Sequence, residues 1–540
     1  MLTITLSYTM CSCHPWKTIY DSVGEFTLSE RKTPEEIKAA REFNKQHNIN
    51  KKVNPYKYTK QTTFSYKDDT CYFLIGSWHK LKEAFDENGE EYEIVDKRDP
   101  DLMPEPDYSA IADVDFRPGQ MEAIALMLSQ DGGILCSTVG FGKSFCLKQI
   151  CKLYPTLNIL VVCPAGEVVK ELYRDINSEL PGQVGLLNMD NTNVSGKRII
   201  VTTTKSMNKV KPEQVQLILF DECHGVGFNS TGFDLLNFCF CRRFGFTATP
   251  VRNQGDLKYM EAIFGPVLQD LTFQEVQTTG GVTPITYTML PVGRKLLYLC
   301  DLVEVVDEQG ITVWRDPGNI LQTDIPTGKK KRRELPDFLK QQRYYMNNKY
   351  RDDVIVDAFN KIKEANPDRQ ILIMVSSIAH LIRIHRRIPY LAFAHGERGS
   401  LDRYKAKKDL ANVDFSKYVQ SSKDADRTKK AFEKGTLKYA ISTGVWSKGI
   451  NIKHLTTLIR ADGATSSIPS VQIPGRLARL DENKVTAYLI DIADDFCEDA
   501  ERRAGLRESI YEKEGWTRKD FKEILTELKG MRNNVQVATS

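Results

Sequence analysis

"GGILCSTVGFGKSFCLKQI", residues 132–150, joins a short apolar run to a glycine-containing turn and then to apolar residues at helical spacing. This order predicts a buried strand, a tight loop and a helix. The loop has the spacing of the phosphate-binding pattern G-x-x-x-x-G-K-[ST], with Ser137 at the position of the first glycine. Gly140 and Gly142 would let backbone amides turn inward, where the helix N-terminus favours an anion. An ordinary turn between a strand and a helix remains the alternative.

A second motif, "VQLILFDECHG" at residues 215–225, places Asp221 78 residues after Lys143. A continuous apolar run predicts a strand buried on both faces, and ligands collect at the carboxyl ends of such strands. We predict that Asp221 holds Mg²⁺ together with Ser144, that Glu222 polarises the attacking water, and that Lys143 reaches the β- and γ-phosphates of ATP. The alternative for Asp221 and Glu222 is a solvated acidic turn.

Composition limits the class of protein. The chain has 540 residues, 41% of them hydrophobic, which suggests three to four domains with ample core material. A net charge of +4 does not by itself indicate a nucleic-acid partner. The 12 scattered cysteines suit a reduced, cytoplasmic protein, and the cluster of Cys11, Cys13 and His14 lacks the paired spacing of a structural zinc site. Residues 1–10 alternate like a strand rather than a signal peptide, and no apolar run is long enough to span a membrane.

Further motifs resemble superfamily-2 helicases. "DECH" at 221–224, followed by "GFTATP" at 245–250, is similar to their DExH box and third motif. "FRPGQMEAI" at 116–124 resembles the segment that precedes their phosphate loop. The resemblance implies that Gln120 contacts the adenine edge with Arg117 near it. It also implies that a set of polar residues couples ATP hydrolysis to movement: His224, Thr247, Thr249 and Gln472.

The segments "VVCPAGEVVKEL" at 161–172 and "VTTTKSMNK" at 201–209 resemble motifs that grip one strand's backbone without reading bases. A plain strand–helix unit of a parallel sheet explains each of them equally well. With matching positions in the second half of the chain, the predicted DNA contacts are Pro164, Ala165, Thr203, Thr204, Lys205, Ser376, Ser377 and Thr443.

A second motor domain is indicated by "RQILIMVSSIAHLIRIH" at 369–385 and by the strands that follow it. Residues 426–452 resemble motif V, which places Gly449 at the nucleotide. "SSIPSVQIPGRLARL" at 466–480 has the Q-x-x-G-R-x-x-R pattern of motif VI. Arg476 and Arg479, three apart, would project from one helix face and stabilise the charge that spreads over the γ-phosphoryl group. Exposed, solvated arginines are the alternative.

The expected fold is therefore α/β, with two tandem RecA-like parallel-sheet motor domains and a small α+β N-terminal accessory domain. The expected boundaries are an accessory, DNA-binding domain at 1–100, motor domains at 101–275 and 346–500, an inter-lobe insertion with a basic loop at 276–345, and a helical extension at 501–540.

Regions outside the motor domains leave alternatives open. In "KKVNPYKYTKQTTFSYK" at 51–67, lysines alternate with aromatic residues, which suits either nucleic-acid stacking or a hairpin with an aromatic core face. The proline- and acid-rich residues 96–114 indicate a linker. The basic run Lys329–Arg333 suits a solvated loop or a loop that follows phosphates. The charged residues 497–516 indicate an amphipathic helix that packs on the second motor domain.

The order of these elements resembles the UvsW-type branch-migration helicases of tailed bacteriophages and, more loosely, RecG and XPB-like helicases. This resemblance implies an ATP- and Mg²⁺-dependent monomer that acts on forks, D-loops and four-way junctions in recombination, repair and replication, in the host cytoplasm. Two alternative hypotheses remain: the chain is an RNA helicase, or it is an ATP-switched remodelling or restriction motor that does not unwind nucleic acid.

Overall fold

Strands of continuous apolar sequence form the centres of two parallel sheets in the computed structural model of the chain. The structure describes residues 1–540 with the exception of 34, 38, 41, 43–53, 55, 100–101, 165, 190, 192–193, 228, 249–256, 294–298, 308–309, 316–322, 335–347, 398–399, 402–403, 405–409, 411, 448–451, 464–473, 482–483, 497 and 539–540. The chain forms two compact units, Met1–Val282 and Thr283–Ser540. Each unit contains one of the parallel sheets.

The first unit begins with a small mixed sheet in the order β5-β6-β2-β1-β7, in which β1 and β7 are parallel and the other pairs are antiparallel. The predicted N-terminal strand is confirmed as β1. A separate antiparallel pair is formed by β3 and β4. The elements are β1 (Leu2–Leu6), β2 (Met10–His14), α1 (Asp21–Gly24), β3 (Glu25–Arg31), β4 (Tyr56–Thr62), β5 (Ser65–Lys67), β6 (Thr70–Leu74), α2 (Trp78–Glu87) and β7 (Tyr92–Asp96).

The rest of the first unit is a seven-stranded sheet, all parallel, in the order β10-β11-β9-β12-β13-β8-β14. Its central strands are wholly buried because helices cover both faces, which is why their sequences do not alternate. The elements are α3 (Gln120–Leu128), β8 (Gly132–Ser137), α4 (Lys143–Leu153), β9 (Ile159–Cys163), α5 (Gly166–Glu179), β10 (Val184–Leu187), β11 (Ile199–Thr203), β12 (Leu217–Asp221), α6 (Ser230–Leu236), β13 (Arg242–Thr247), α7 (Leu257–Phe264), β14 (Val267–Leu271) and α8 (Phe273–Thr278).

The accessory region packs directly on this sheet, although its sequence suggested a linked, separable domain. Phe26 and Leu28 of β3 are buried in the same apolar core as Tyr259 of α7. Gly76 lies so close to α7 that a Cβ at this position would be 2.1 Å from the carbonyl oxygen of Glu261. Removal of residues 1–100 is therefore expected to expose part of the core of the motor domain.

Arg243, at the start of β13, gives a sharper test of this interface. Its buried guanidinium donates to the Tyr8 carbonyl at 2.9 Å and to the Thr9 hydroxyl and the Phe238 carbonyl, both at 2.5 Å. Arg243→Ala removes all three of these hydrogen bonds and the buried side chain that makes them, so we expect it to lower the free energy of unfolding by about 2–4 kcal/mol.

The neighbouring Arg242 provides the control, because its ion pair with Asp131 at 3.2 Å is only partly buried, with side chains that are 27% and 50% exposed. We expect Arg242→Ala to change the free energy of unfolding by about 1 kcal/mol or less. The measurement is the denaturant midpoint of unfolding of each variant in the intact chain, and we expect it to be lower for Arg243→Ala than for Arg242→Ala. Equal midpoints would show that the accessory region does not depend on Arg243.

The second unit contains a seven-stranded sheet, also all parallel, in the order β20-β21-β19-β22-β23-β15-β24. A three-stranded antiparallel sheet, β17-β16-β18, lies between β15 and the next helix in the chain. The elements are β15 (Ile285–Pro291), β16 (Leu299–Val306), β17 (Thr312–Arg315), β18 (Ile325–Glu334), α9 (Lys349–Ala365), β19 (Ile371–Val375), α10 (Ile378–Arg387), β20 (Ala392–Ala394), α11 (Ser422–Glu433), β21 (Tyr439–Ser442), β22 (Thr457–Ala461), β23 (Ala487–Ala493), α12 (Glu498–Lys513), β24 (Thr517–Arg518) and α13 (Phe521–Ala538).

Two features of the second unit differ from the expectation. The sheet reaches beyond residues 346–500, because β15 pairs with β23 along its full length and β24 pairs with β15. The basic run Lys329–Arg333 lies in strand β18 and not in a loop. A strand forms there because β16 supplies an antiparallel partner, which composition alone does not reveal.

The architecture confirms the predicted α/β fold: two parallel sheets with helices, preceded by a small domain with a mixed sheet. Within the described part of the chain, no helix combines the length and the apolar character needed to cross a bilayer.

Candidate active site

The glycine turn of residues 137–144 connects the carboxyl end of β8 to the first residue of α4. Gly140 and Gly142 have φ angles of 99° and 104°, values that side-chain-bearing residues rarely adopt. A Cβ on Gly142 would also lie 2.4 Å from the Nε2 atom of Gln120. The turn therefore needs glycine for its backbone conformation and for the close approach of Gln120.

Gln120 and Arg117 hold this turn from the side. The Oε1 atom of Gln120 accepts from the Arg117 amide at 3.0 Å, and its Nε2 atom donates to the Phe141 carbonyl at 2.6 Å. The Nη1 atom of Arg117 donates to the Gly140 carbonyl at 3.1 Å. Burial lowers the pKa of Arg117. The structure thus brings the two residues that were predicted to lie near adenine against the loop that was predicted to hold phosphates.

Lys143 begins α4 and folds back over the loop. Its ammonium donates to the Ser137 carbonyl at 2.7 Å and to the Thr138 carbonyl at 3.2 Å. Ser144, the next residue, is exposed in the first turn of the helix. Lys143 and Ser144 therefore lie at the N-terminus of α4, where the backbone amides of the first turn have no partner within the helix.

The acidic pair lies at the carboxyl end of β12, two strands away from β8 in the sheet. Asp221 is buried and accepts from the Glu222 amide at 3.1 Å. Burial and the negative charge of Glu222 raise the pKa of Asp221 well above its ordinary value, and the positive charge of Lys143 opposes this rise. The opposing effect of Lys143 indicates that the phosphate loop and the acidic pair share one electrostatic environment.

Glu222 has the left-handed backbone conformation, with φ 55° and ψ 47°. This conformation is costly for a residue with a side chain and is commonest at functional sites. Its carboxylate lies 3.1 Å from the Nδ1 atom of His224, and the same nitrogen lies 3.1 Å from the Thr247 hydroxyl. A polar chain thus connects Glu222, the predicted catalytic base, to the end of β13.

The close approach of Cys223 to Gly245, which the sequence did not predict, fixes the position of this acidic turn against β13. Cys223 is fully buried, and a Cβ on Gly245 of β13 would lie 2.8 Å from its sulfur. Burial raises the pKa of the Cys223 thiol, which makes it a packing group. The glycine inside the apolar run "RRFGFT" was the available signal, because glycine within a strand often marks a close approach.

The residues predicted to contact DNA also lie at carboxyl ends of strands. Pro164 follows β9, and Thr203 ends β11, which is paired with β9 so that Cys163 lies opposite Thr203. In the second unit, Ser376 and Ser377 follow β19, while Thr443 follows the adjacent β21. Each group is brought together within its own unit, and Thr204 and Lys205 continue the first of them.

Arg476 and Arg479 lie in the second unit, in and just after the 3₁₀ helix Pro474–Ala478. Residues three apart share a face in such a helix. The Thr283 hydroxyl donates to the Arg479 carbonyl at 3.1 Å, which ties the arginine segment to the start of the unit. The assignment of these arginines to the γ-phosphate stays a prediction. Four predicted site residues lie outside the described residues: Ala165, Thr249, Gly449 and Gln472.

The site residues of the first unit fit a nucleotide with Mg²⁺. The N-terminus of α4, which begins at Lys143 directly after Gly142, favours an anion, and carboxylate and hydroxyl oxygens are the ligands that Mg²⁺ prefers. The buried Asp221 carboxyl, which is costly to ionise alone, would gain most from a neighbouring cation.

Comparisons with known proteins agree with this arrangement. Residues 113–252, which contain the phosphate loop and the acidic pair, match the family described as the res subunit of type III restriction enzymes. A segment of 170 residues is 24% identical to the DNA 3'-5' translocase XPB2 of Sulfurisphaera tokodaii, and the match covers 30% of this chain and 37% of the relative. The chain thus spans little more than a third of that relative.

The fold is similar to that of a variant of S. cerevisiae Dbp5 solved with RNA and ADP BeF3. The TM-score is 0.50 at 13% identity, and the match covers 81% of this chain and 98% of the other. At this identity the likeness concerns the fold, and it supports the two tandem RecA-like domains. The family match concerns residues 113–252, which lie in the first of these domains.

Proposed function

We propose that this chain, a helicase-like protein of superfamily 2, is an ATP-dependent DNA translocase that separates or branch-migrates DNA strands. One observation carries the proposal above all. The phosphate loop with Lys143 follows β8 and the acidic pair Asp221 and Glu222 lies at the end of β12, so both lie at carboxyl ends of strands of one parallel sheet, with β13 between them. The same residues fall within the segment that matches a restriction-enzyme motor family.

Within this proposal the residues of the first unit divide the work of ATP hydrolysis. Lys143 and the loop amides hold the β- and γ-phosphates, and Gln120 with Arg117 faces the adenine. Bound Mg²⁺ would neutralise developing charge on the phosphates, with Ser144 and Asp221 as its protein ligands. Glu222 orients and deprotonates the attacking water. His224 and Thr247 pass the state of Glu222 to the end of β13 through their contacts of 3.1 Å.

Motion in this proposal comes from residues of both units. Arg476 and Arg479 stabilise the transition state of the γ-phosphoryl transfer, as their motif implies. The hydroxyl-bearing residues at the strand ends hold the DNA backbone, which gives grip without sequence preference. Hydrolysis then biases one state of the motor over the other.

The finer proposal is that the substrates are forks, D-loops and four-way junctions, in recombination, repair and replication. It is supported by the resemblance to UvsW-type helicases. The test is strand separation on a fork, a four-way junction and a plain duplex of the same sequence. We expect the branched substrates to be processed about tenfold faster or more, and equal rates on all three would contradict branch specificity.

A restriction-type motor without strand separation is the second candidate, and the match of residues 113–252 favours it. Such a motor moves along duplex DNA and leaves the strands paired. Displacement of a triplex-forming strand from a duplex reports translocation, whereas release of a duplex strand reports unwinding. Triplex displacement without any strand release on forks or junctions would support this second candidate.

We expect Glu222→Gln to retain ATP binding and to lower ATP turnover by about 10²–10⁴-fold, because an amide cannot accept the proton of the attacking water. Turnover and the binding of a fluorescent ATP analogue are measured on the same preparation. Glu213→Gln is the matched control. Glu213 is exposed and precedes the amino end of β12, whereas Glu222 follows its carboxyl end. Unchanged turnover in Glu222→Gln would remove Glu222 from the mechanism.

A further inference from the structure

The antiparallel pair of β3 and β4 has two chemically different faces. One face carries Phe26 and Leu28, which are 6% and 7% exposed and belong to the core of the motor sheet. The other face carries Tyr56 and Tyr58, which are 45% and 61% exposed. The aromatic–lysine segment is therefore not a hairpin with an aromatic core, since among its aromatic residues Phe64 is buried while these tyrosines face solvent.

The residue opposite Tyr58 is small, whereas Tyr56 lies opposite Arg31. Tyr58 lies opposite Ser29, and Lys60, on the same face, lies opposite Thr27. Serine and threonine are too small to cover an aromatic ring or a lysine side chain. Burial of these two aromatic rings would stabilise the fold, yet both are exposed while the opposite face of the same strands is buried. Adjacent exposed aromatic residues of this kind often mark a binding surface.

The spacing of the rings suits an unpaired base. Residues two apart on an antiparallel strand are about 6.8 Å apart, and their side chains stand roughly perpendicular to the sheet. Stacked bases are separated by about 3.4 Å. The gap between Tyr56 and Tyr58 is thus twice the stacking distance, so that one base can lie between two rings. A base within a duplex is already stacked on both sides and cannot enter.

Charge on the same face adds a phosphate contact. Lys60 is 83% exposed, and its ammonium is 3.9 Å from the nearest carboxylate oxygen, that of Glu25. A solvated pair at this distance contributes little, so that a phosphate can replace it. Lys57, by contrast, lies on the opposite face and is paired with Glu30 and Glu36 at 3.3 Å each. Lys60 is thus a cation on the face of the exposed rings, and the position opposite Tyr56 carries a second one, Arg31.

We propose that Tyr56, Tyr58 and Lys60 form a binding site for unpaired nucleotides, the strand that a motor displaces or finds at a branch. The inference rests on the proposed nucleic-acid motor. The site is fixed to that motor by Phe26, which packs on Tyr259 with ring centroids 6.0 Å apart, and by Lys258, which donates to the Ser22 carbonyl at 3.0 Å. A strand held here is therefore held by the same unit that carries the phosphate loop.

The test measures binding of the intact chain to a fluorescent thymidine oligomer over a range of salt concentrations. We expect Tyr56→Ala with Tyr58→Ala to weaken binding by about 5- to 100-fold, the value of losing stacking on one base, with little change in the salt dependence. Lys60→Ala should instead lower the slope of log affinity against log salt by about 0.7. Tyr56→Phe with Tyr58→Phe keeps the rings and should bind as the unmodified chain does.

Tyr108→Ala is the control, because Tyr108 is also exposed, at 41%, and lies outside the β3–β4 pair. Equal affinity in the double alanine variant and the unmodified chain would overturn the inference, as would an equal loss in Tyr108→Ala or in the double phenylalanine variant. A face that binds a protein partner instead would give this result as well. Turnover of ATP by the unmodified chain with duplex DNA separates the two failures: its absence refutes the motor, and its presence confines the failure to this face.

Discussion

Replacement of Lys143 with alanine is expected to lower ATP turnover by about 10²–10³-fold or more, to the background of the assay. The ammonium lies 2.7 Å from the Ser137 carbonyl and 3.2 Å from the Thr138 carbonyl, at the first residue of α4. Alanine removes the one positive side chain at the centre of the loop and leaves the glycine turn unchanged. The loss therefore falls on phosphate binding and on charge stabilisation together.

Lys152→Ala is the matched control for this variant. Lys152 lies in the same helix, nine residues further on, and forms a half-buried ion pair with Glu179 at 3.2 Å, away from the loop. We expect its turnover to match that of the unmodified chain. Turnover of Lys143→Ala at the level of this control would show that the loop of residues 137–144 is a turn without a nucleotide role.

Arg479→Ala is expected to lower ATP turnover by about 10³–10⁵-fold while ATP affinity changes by no more than about threefold. An arginine that contacts the γ-phosphoryl group only as charge spreads in the transition state contributes to rate and not to binding. Arg479→Lys should not restore the rate, because the planar guanidinium meets two phosphate oxygens and an ammonium meets one.

Arg518→Ala is the control in the same unit, since Arg518 is 61% exposed and pairs with Glu508 at 2.8 Å. The comparison requires turnover and nucleotide affinity from the same preparations. If Arg479→Ala retains normal stimulated turnover, the motif that contains it does not act on ATP. If it loses affinity as much as rate, Arg479 is a binding residue rather than a transition-state residue.

Local sequence patterns sufficed for the motor sheets and for the first half of the site. The strand "GGILCS", the glycine turn and the run that ends in Asp221 carry their signals within about ten residues each, and the parallel sheet then brings their carboxyl ends together. The contact of His224 with Glu222 and Thr247 follows from the same geometry, because β12 and β13 are adjacent.

Long-range contacts were not predictable from such patterns. Strand β15 pairs with β23 although the paired residues, such as Ile285 and Ala487, are 202 positions apart in the sequence, and no local pattern indicates that pairing. The packing of Phe26 and Leu28 on the motor core was hidden because the segment also suited an independent domain. The basic run Lys329–Arg333 became a strand through its pairing with β16, which overrides its polar composition.

The central claim is that DNA stimulates ATP hydrolysis by this chain. It is tested most directly by ATP turnover of the intact chain with no nucleic acid, single-stranded DNA, duplex DNA, a four-way junction or RNA. The account predicts at least tenfold stimulation by DNA, largest with the junction, and its loss in Lys143→Ala. Turnover that no nucleic acid changes, or that RNA alone stimulates, would contradict it.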